Sequence, residues 1–239
     1  MFQTDEEIIS YVKNSIEEAL KGSGKLCDES LLASGILNFF GMSGKRTRIL
    51  LNNLAGKKGI KYAEVGTHKG STLLSVMFKN DPITALCCDN WSEFNGPQEE
   101  FLKNVRTFMS TATSTQTLSI FSCDYKELEF GADPWSKIDF YNFDGPHTQE
   151  DQFEGIVRAY PGLSDRFILF VDDWNWKGTQ VGTHSALNAL QAEILFKLEV
   201  TTQPENYDDT GSLTNRFQKS DWHNGVAIFA CKKKNNSQG

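Results

Sequence analysis

Apolar and polar residues alternate in two different ways along the chain, first with the period of helices and later as short separated runs. Between Ile8 and Leu20 the apolar residues recur at three- and four-residue steps, which is the spacing of an amphipathic helix. Gly22-Ser23-Gly24 ends this helix, and two further helical stretches are predicted at about residues 30–40 and 45–55. We therefore predict that residues 1–57 form an N-terminal helical cap.

After Gly59 the chain consists of short apolar runs, most of which are separated by segments long enough for helices. The runs have the length of β-strands and occupy residues 60–65, 83–89, 118–123, 138–143, 166–171, 193–200 and 225–231. This alternation predicts an α/β fold with a largely parallel sheet over residues 58–231. The last connection, 202–224, is polar and rich in turn residues, which favours a long excursion between antiparallel strands. The basic tail, 232–239, is predicted to be disordered.

Composition narrows the possible functions. The chain has 239 residues, of which 39% are hydrophobic, enough for one sizeable core and too few for two. Its 24 Lys and Arg against 31 Asp and Glu give a net charge of -7, which argues against a protein that binds nucleic-acid backbones. No apolar run could span a membrane, and the acidic N-terminus is unlike a signal peptide, so a cytoplasmic location is predicted. The five cysteines form no CxxC pair, which argues against a thiolate metal site.

A glycine turn follows the first predicted strand, in the segment KYAEVGTHKGSTLLSV. Glu64 and Gly66 end the strand, Thr67 to Gly70 form a loop, and a helix is predicted to begin at Ser71. Glycines in such a loop let the backbone approach a ligand, and the helix start offers free N–H groups. The spacing Gly66-x-x-x-Gly70 differs from the GxGxxG of dinucleotide-binding proteins, which argues against NAD. A tight structural turn is the alternative interpretation.

Acidic residues follow the second and third predicted strands. Asp89 lies 25 residues after Glu64, the offset expected for a carboxylate that binds ribose hydroxyls at the tip of the neighbouring strand. A nucleoside-like ligand is therefore predicted. The residues expected around its ribose and adenine are Asp89, Asn90, Trp91, Cys123 and Asp124. Of these, Trp91 is the preferred aromatic side chain for stacking on adenine.

The motifs EVGTHKGS, CDNW, SCDY and IDFYNFDG occur in this order, and together they resemble the class I S-adenosylmethionine (SAM)-dependent methyltransferases over roughly residues 58–231. The resemblance implies a doubly wound, Rossmann-like sheet of seven strands in the order 3-2-1-4-5-7-6, with strand 7 antiparallel. It also implies that Glu64, Gly66 and Gly70 hold the amino-acid end of SAM, that Asp89 binds the ribose, and that Asp124 or its backbone binds the adenine.

Three carboxylates follow the fourth and fifth predicted strands. Asp144 ends the fourth run and Asp172-Asp173 end the fifth, so on adjacent strands about 4.8 Å apart they can converge. Converging carboxylates repel one another unless a cation lies between them, and Mg²⁺ or another hard divalent cation is predicted there. In the alternative interpretation, Asp172 or Asp173 caps the next helix or pairs with Lys177.

The spacing of Asp144 and Asp172-Asp173 is similar to that of metal-dependent O-methyltransferases of the catechol and macrocin or sugar types. The resemblance implies metal ligation by these residues, and Asp144 is also expected beside SAM. His147 occupies the position where catechol-type relatives carry a lysine base. An unperturbed histidine, with a pKa near 6.5, is mostly neutral at physiological pH and can take a proton. Alternatively, His147 only supports the neighbouring residues or begins the next helix.

The sequence thus predicts a SAM-dependent and Mg²⁺-dependent O-methyltransferase that acts on a hydroxyl of a small molecule or sugar, with His147 and Asp144 as catalytic residues. A vicinal diol is the acceptor that would chelate a cation best. Four alternatives remain: a metal-independent methyltransferase, a cephalosporin-hydroxylase-like member of the same fold, a binding protein without turnover, and an NAD oxidoreductase. The N-terminal helices are expected either to cover the site or to form a homodimer interface.

Overall fold

The computed structural model describes residues 2–28, 30–111, 113, 115–202 and 221–234. The helices are α1 Asp5–Leu20, α2 Leu31–Leu37, α3 Lys45–Leu54, α4 Ser71–Met77, α5 Gln98–Met109, α6 Gln149–Ala159 and α7 Lys177–Ala189. The strands are β1 Lys61–Val65, β2 Ile83–Cys88, β3 Gln116–Phe121, β4 Ile138–Phe143, β5 Leu163–Val171, β6 Glu193–Val200 and β7 Val226–Lys232. Short 3₁₀ turns lie at Lys25–Cys27, Tyr125–Glu127 and Tyr160–Gly162.

The strands form one sheet with the order β3-β2-β1-β4-β5-β7-β6. The β1, β2, β3, β4 and β5 strands pair in parallel, whereas β7 is antiparallel to both β5 and β6. The predicted α/β fold and strand order are therefore confirmed.

The carboxyl ends of the central strands lie level with one another. Val65 pairs with Cys88 on one side and with Phe143 on the other, and Phe143 pairs with Val171. These four residues end β1, β2, β4 and β5, so the residue that follows each strand leaves the sheet at the same edge. That register positions the candidate site, because Gly66, Asp89, Asp144 and Asp172 are those following residues.

The sheet is covered by helices on both faces, which is why the central strand β4 is buried at all six positions. On one face, Tyr62 and Phe140 pack in a cluster with residues of α1, α3, α4 and α5. On the other face, Tyr141 and Phe143 pack with residues of α6 and α7. Successive residues of a strand point to opposite faces, so each strand contributes to both clusters.

The predicted N-terminal cap packs into this fold. The α1 residue Ile8 and the α3 residue Leu50 are fully buried in the same cluster as Tyr62 of β1. On α1, Asp5 also accepts hydrogen bonds from Arg166 of β5, at 2.6 Å, and from Lys232 of β7, at 2.9 Å. The helices α1 and α3 thus belong to one layer of the α/β sandwich, together with α4 and α5.

Several predicted boundaries differ from the structure. The third strand ends at Phe121, so Cys123 lies beyond it in a loop. At the other end of the chain, β7 continues through Lys232, one residue into the predicted disordered tail. The rest of that tail from 235 and most of the predicted 202–224 excursion, 203–220, lie outside the described residues. Within the described ranges, no helix combines the length and apolar character needed to cross a membrane.

The packing of α6 on the end of β4 gives a first prediction. A Cβ added at Gly155 of α6 would overlap the ring of Phe143, the residue before Asp144. We expect Gly155→Ala to lower the free energy of unfolding by about 1–3 kcal/mol, since overpacking displaces a buried ring. Urea denaturation measures the change. The control is Gly35→Ala in α2, where a Cβ meets open space and should be neutral or stabilising; equal stabilities of the two variants would contradict this account.

Candidate active site

The glycine loop between β1 and α4 has the backbone that its sequence predicts. Gly66 and Gly70 have φ angles of 88° and 89°, in the left-handed region that favours glycine. A Cβ at Gly66 would also overlap the carbonyl oxygen of Asp144, so the chain there tolerates no side chain. The predicted helix start at Ser71 is confirmed, with Gly70 as the residue before it. Thr67 is buried within the loop.

Glu64 is a carboxylate with unused hydrogen-bonding capacity. It is fully buried near the end of β1, where its Oε2 accepts hydrogen bonds from the Tyr62 hydroxyl, at 2.6 Å, and the Thr72 hydroxyl, at 3.1 Å. Its Oε1 makes no hydrogen bond within the described part of the chain. Burial raises the pKa of Glu64 to about 7, although neighbouring hydroxyls oppose the shift. A ligand ammonium group or N–H donor would satisfy this oxygen, so Glu64 fits the amino-acid end of SAM.

Asp89 links the loops that follow β1 and β2. Its Oδ2 accepts a hydrogen bond from the backbone N–H of His68, and its Oδ1 accepts one from Trp91, both at 2.7 Å. The side chain remains partly exposed, and each carboxylate oxygen keeps a lone pair for another donor, such as a ribose hydroxyl. Asp89 therefore organises the edge of the sheet and can still bind a ligand.

Trp91 is buried beside the glycine loop. Its indole is 7% exposed and packs on Phe101 with ring centroids 5.2 Å apart. Its Nε1 donates a hydrogen bond to the carbonyl oxygen of His68 at 2.9 Å. The structure thus gives Trp91 a role in holding the glycine loop, and its contact with adenine stays a prediction.

The other residues predicted at the adenine side make mainly local contacts. The Oδ1 of Asn90 accepts hydrogen bonds from the backbone and the hydroxyl of Ser92. Asp124 caps the following 3₁₀ turn by accepting from the Lys126 N–H at 2.9 Å. Cys123 lies with its Sγ 3.8 Å from that of Cys88, and both are free thiols. These contacts place the residues along the β2–β3 edge without assigning them a ligand.

Asp144, His147 and Asp173 form a compact cluster at the ends of β4 and β5. The Nε2 of His147 lies 2.7 Å from Asp173 Oδ2 and 3.6 Å from Asp144 Oδ1. The backbone fixes this arrangement, because the Asp144 N–H donates to the carbonyl of Val65 at 2.9 Å. Thr148, directly after His147, caps α6 by accepting from the N–H of Asp151 at 3.0 Å. His147 is therefore held in the short turn between the end of β4 and the start of α6.

Two groups of potential metal ligands lie at these strand ends, and neither contains all three of the predicted residues Asp144, Asp172 and Asp173, whose metal ligation stays a prediction. Within the described ranges, two sets of potential ligands have their atoms within 4.8 Å of one another: Asp144, His147 and Asp173, and Asp172, Asp173 and His223. Asp172 and Asp173 share one set with His223, whereas only Asp173 shares a set with Asp144 and His147. Asp173 also has a φ of 54°, and its N–H donates to Asp172 Oδ1 at 2.9 Å. Asp173 alone is common to both sets.

His223 and Asn224 are the site residues that the sequence did not identify as such. Asn224 Nδ2 donates a hydrogen bond to Asp173 Oδ1 at 2.6 Å, and His223 Nδ1 lies 3.8 Å from the same oxygen. Both precede β7, whose antiparallel pairing with β5 brings its start beside the end of β5. The antiparallel seventh strand was the available signal, since it predicts that the residues before 225 return to this edge.

Burial and proximity shift the pKa values of the cluster strongly. Burial raises the pKa of Asp144 to about 6 and that of Asp172 well above its usual value. Burial opposes a charged His147, but Asp144 and Asp173 outweigh it and raise the pKa of the imidazole to about 10. Burial likewise opposes ionisation of Asp173, but His147 outweighs it and the pKa is lowered. In this arrangement the two neighbouring carboxylates favour the protonated imidazole, and the role of His147 as the base stays a prediction.

Two tryptophans follow Asp173 and have different surroundings. Trp174 is buried, packs against His184 and Phe229, and is part of the hydrophobic core. Trp176 is 51% exposed, and its ring lies 5.3 Å from that of His147. Its backbone N–H donates to the carbonyl of Asp173 at 3.0 Å, which ties the ring to the cluster. Trp176 thus offers an open aromatic face beside the candidate catalytic residues.

No protein-family model matches the sequence, and no curated protein matches it significantly. Solved structures do resemble the fold. Magnesium protoporphyrin IX methyltransferase from Synechocystis PCC 6803 with bound SAM is 11% identical, over 98% of this chain and 99% of that chain, with a TM-score of 0.53. An O-methyltransferase from Bacillus cereus in complex with S-adenosylhomocysteine (SAH) is 11% identical, over 92% of this chain and 91% of that chain, with a TM-score of 0.52.

TYW2 from M. jannaschii in complex with SAM is 8% identical, over 82% of this chain and 78% of that chain, with a TM-score of 0.51. These proteins share the seven-stranded sheet but little sequence with this chain. The chain therefore has the fold of the class I SAM-dependent methyltransferases, and its chemistry has to be argued from its own residues.

The buried carboxyl of Glu64 gives a second prediction. Its pKa of about 7 in the folded chain lies above the unfolded value of 4.5, so folding takes up a proton between these pH values. The stability present below pH 4.5 is lost as pH rises through 7. We expect Glu64→Gln to remove this loss. Between pH 5 and pH 8, the free energy of unfolding of the variant should therefore fall by on the order of 2–3 kcal/mol less than that of the wild type.

Urea denaturation of both proteins at pH 5 and pH 8 measures this difference. The exposed Glu150 supplies the control variant, Glu150→Gln, whose pH dependence should match that of the wild type. Parallel stability curves for Glu64→Gln and the wild type would show that Glu64 ionises normally in the folded protein.

Proposed function

We propose that the protein is a SAM-dependent methyltransferase that methylates a hydroxyl oxygen of a small molecule or sugar with the help of a bound divalent cation. One observation carries the proposal. The level strand ends bring a buried carboxylate with an unused oxygen, Glu64, and a ribose-binding candidate, Asp89, to the same edge as the cluster of Asp144, His147 and Asp173.

The donor half of the site fits SAM through residues of β1 and β2. Glu64 offers an acceptor for the ammonium group, the loop from Gly66 to Gly70 allows close approach of the backbone, and Asp89 accepts from ribose hydroxyls. Bound SAM supplies an electrophilic methyl group on a sulfonium. The similar structures with bound SAM or SAH support this assignment through the shared fold.

The acceptor half of the site has to orient a hydroxyl and remove its proton. In the transfer, an O–CH₃ bond forms, the S–CH₃ bond breaks with its electrons going to sulfur, and the hydroxyl proton passes to a base. His147 lies beside the open face of Trp176, where a ring-shaped acceptor could rest. While its pKa is about 10, His147 is protonated and cannot accept this proton, and Asp144, with a pKa of about 6, is then the better acceptor.

The cluster fits a divalent cation by its donors, two carboxylates and an imidazole with ligand atoms within 4.8 Å of one another. When bound, such a cation supplies positive charge that lowers the pKa of an acceptor hydroxyl. It would compete with the His147 proton for Asp144 and Asp173, which would leave the imidazole neutral. Mg²⁺ suits the carboxylates, whereas the nitrogen donor favours a softer ion such as Mn²⁺.

A third prediction tests the whole proposal. Incubation of the protein with SAM, Mg²⁺ or Mn²⁺ and a panel of phenolic, catecholic and sugar hydroxyls should give a methylated product and stoichiometric SAH, detected by mass spectrometry. EDTA should lower the rate at least about tenfold, and added cation should restore it. Undiminished turnover in EDTA would favour metal-independent transfer.

The same assay separates the remaining alternatives. Oxidation of the acceptor without SAM consumption would indicate the cephalosporin-hydroxylase-like chemistry, and SAH binding without turnover across the panel would indicate a binding protein. Stabilisation against heat by NADH, but not by SAH, would indicate an oxidoreductase. Small-molecule or carbohydrate acceptors are preferred over nucleic acid because the net charge is -7.

The role of His147 gives a fourth prediction. His147→Ala should lower kcat by about 10²–10⁴-fold, because a cation on Asp144 and Asp173 would leave the imidazole neutral and able to take or steer the acceptor proton. The dissociation constant for SAH should change little, because no predicted donor contact involves His147. The matched control is His184→Ala, since His184 pairs with Glu199 at 2.9 Å, away from the cluster. A kcat of His147→Ala equal to that of His184→Ala would remove His147 from the mechanism.

A further inference from the structure

Arg48 of α3 is a buried cation with neutral partners. It is 2% exposed, and burial lowers the pKa of its guanidinium to about 10. No described carboxylate forms an ion pair with it. Its hydrogen bonds go to the Ser43 hydroxyl, at 2.9 Å, and to the backbone carbonyls of Ile36, Leu37, Phe39 and Gly41, at 2.8, 3.3, 2.8 and 3.3 Å.

A buried charge without a counter-charge costs free energy, and hydrogen bonds to neutral oxygens offset only part of that cost. The partners of Arg48 all belong to the segment from the end of α2 to the start of α3. A planar guanidinium can bind several oxygens in fixed directions, so Arg48 gives this irregular segment a defined shape. Within this segment lies the cap loop, which we define as Phe40 to Ser43.

The cap loop contacts the glycine loop at Lys69 and the first residue of α4, Ser71. The Ser43 and Ser71 hydroxyl oxygens lie 3.3 Å apart, and either could be the donor. The Lys69 ammonium lies 4.6 Å from the centroid of the Phe40 ring. At Gly41 the backbone approaches so closely that an added Cβ would overlap the Ser71 side chain.

The residue next to Ser71 connects the cap loop with the buried carboxylate of Glu64. Ser71 begins α4, and the next residue, Thr72, donates its hydroxyl hydrogen to Glu64 at 3.1 Å. Arg48 therefore reaches the donor site through Ser43 and Ser71, and a shift of the cap loop would move the first turn of α4 relative to Glu64.

We propose that the cap loop is a wall of the donor site and that Arg48 is its positioning residue, which sets the affinity for SAM by fixing the glycine loop. The inference rests on the proposed function, because it assigns the glycine loop to SAM. Of the two sequence-based expectations for the N-terminal helices, it develops the one in which they cover the site.

The fifth prediction concerns Ser43→Ala, which removes the link between Arg48 and Ser71 with little loss of volume. We expect the dissociation constant for SAH, measured by calorimetry, to rise about five- to tenfold, the loss of one or two hydrogen bonds. The KM for SAM should rise by a similar factor, while the KM for the acceptor stays unchanged. Arg48→Lys keeps the charge but not the planar fork, so it should weaken SAH binding as well.

The matched control is Asn52→Ala, also on α3. Asn52 donates to the carbonyls of Ser75 and Phe78, both at 2.8 Å, and so anchors the far end of α4. This variant should lower Tm, yet bind SAH within about twofold of the wild type, since it leaves the glycine loop in place.

Each outcome has one meaning. Weaker SAH binding in Ser43→Ala together with unchanged binding in Asn52→Ala supports the inference. Wild-type affinity for SAH in both Ser43→Ala and Arg48→Lys would overturn the inference while leaving the proposed function intact. Equal weakening of SAH binding in all three variants would also overturn it, because it would indicate a general loss of structure. A wild-type protein that binds no SAH would overturn the proposed function and the inference with it.

Discussion

The candidate site depends on the parallel register of four strands. Because Val65, Cys88, Phe143 and Val171 pair as neighbours, the strands β1, β2, β4 and β5 end at one level. A shift of one residue in any of these pairings would turn the following side chain to the other face of the sheet. Burial of the strands on both faces prevents such a shift, so the hydrophobic core sets the positions of the polar groups at the edge.

At this edge of the sheet several carboxyl side chains lie close together and are largely shielded from water. Glu64, Asp144 and Asp172 all have pKa values raised by burial, and the imidazole of His147 lies between the carboxylates of Asp144 and Asp173. Such carboxylates are costly to retain in a protein that only has to fold, and they are useful in one that binds a cationic donor and a metal. The same logic applies to Arg48, whose buried charge binds the carbonyls and the hydroxyl of the segment before α3.

The N-terminal helices connect the core with the site. Their apolar faces complete one side of the sheet, as Ile8 and Leu50 show, whereas their connecting loop lies on Ser71 at the glycine loop. The same segment therefore contributes to the core and contacts the proposed donor site, but through different residues. Asn52 and Arg48, one turn apart on α3, represent the two roles.

The sequence by itself determined the sheet, the glycine loop and the acidic residues at the strand ends, because apolar periodicity and glycine spacing are local signals. Only the tertiary structure decided which side chains meet. Asp172 and Asp173 are adjacent, yet of these two only Asp173 lies in the set with Asp144 and His147. His223, which precedes β7 near the end of the chain, lies beside Asp173 as well. The direction of the pKa shift of His147 also follows from the tertiary structure, since a pKa depends on the distance and burial of neighbouring groups, which no local pattern encodes.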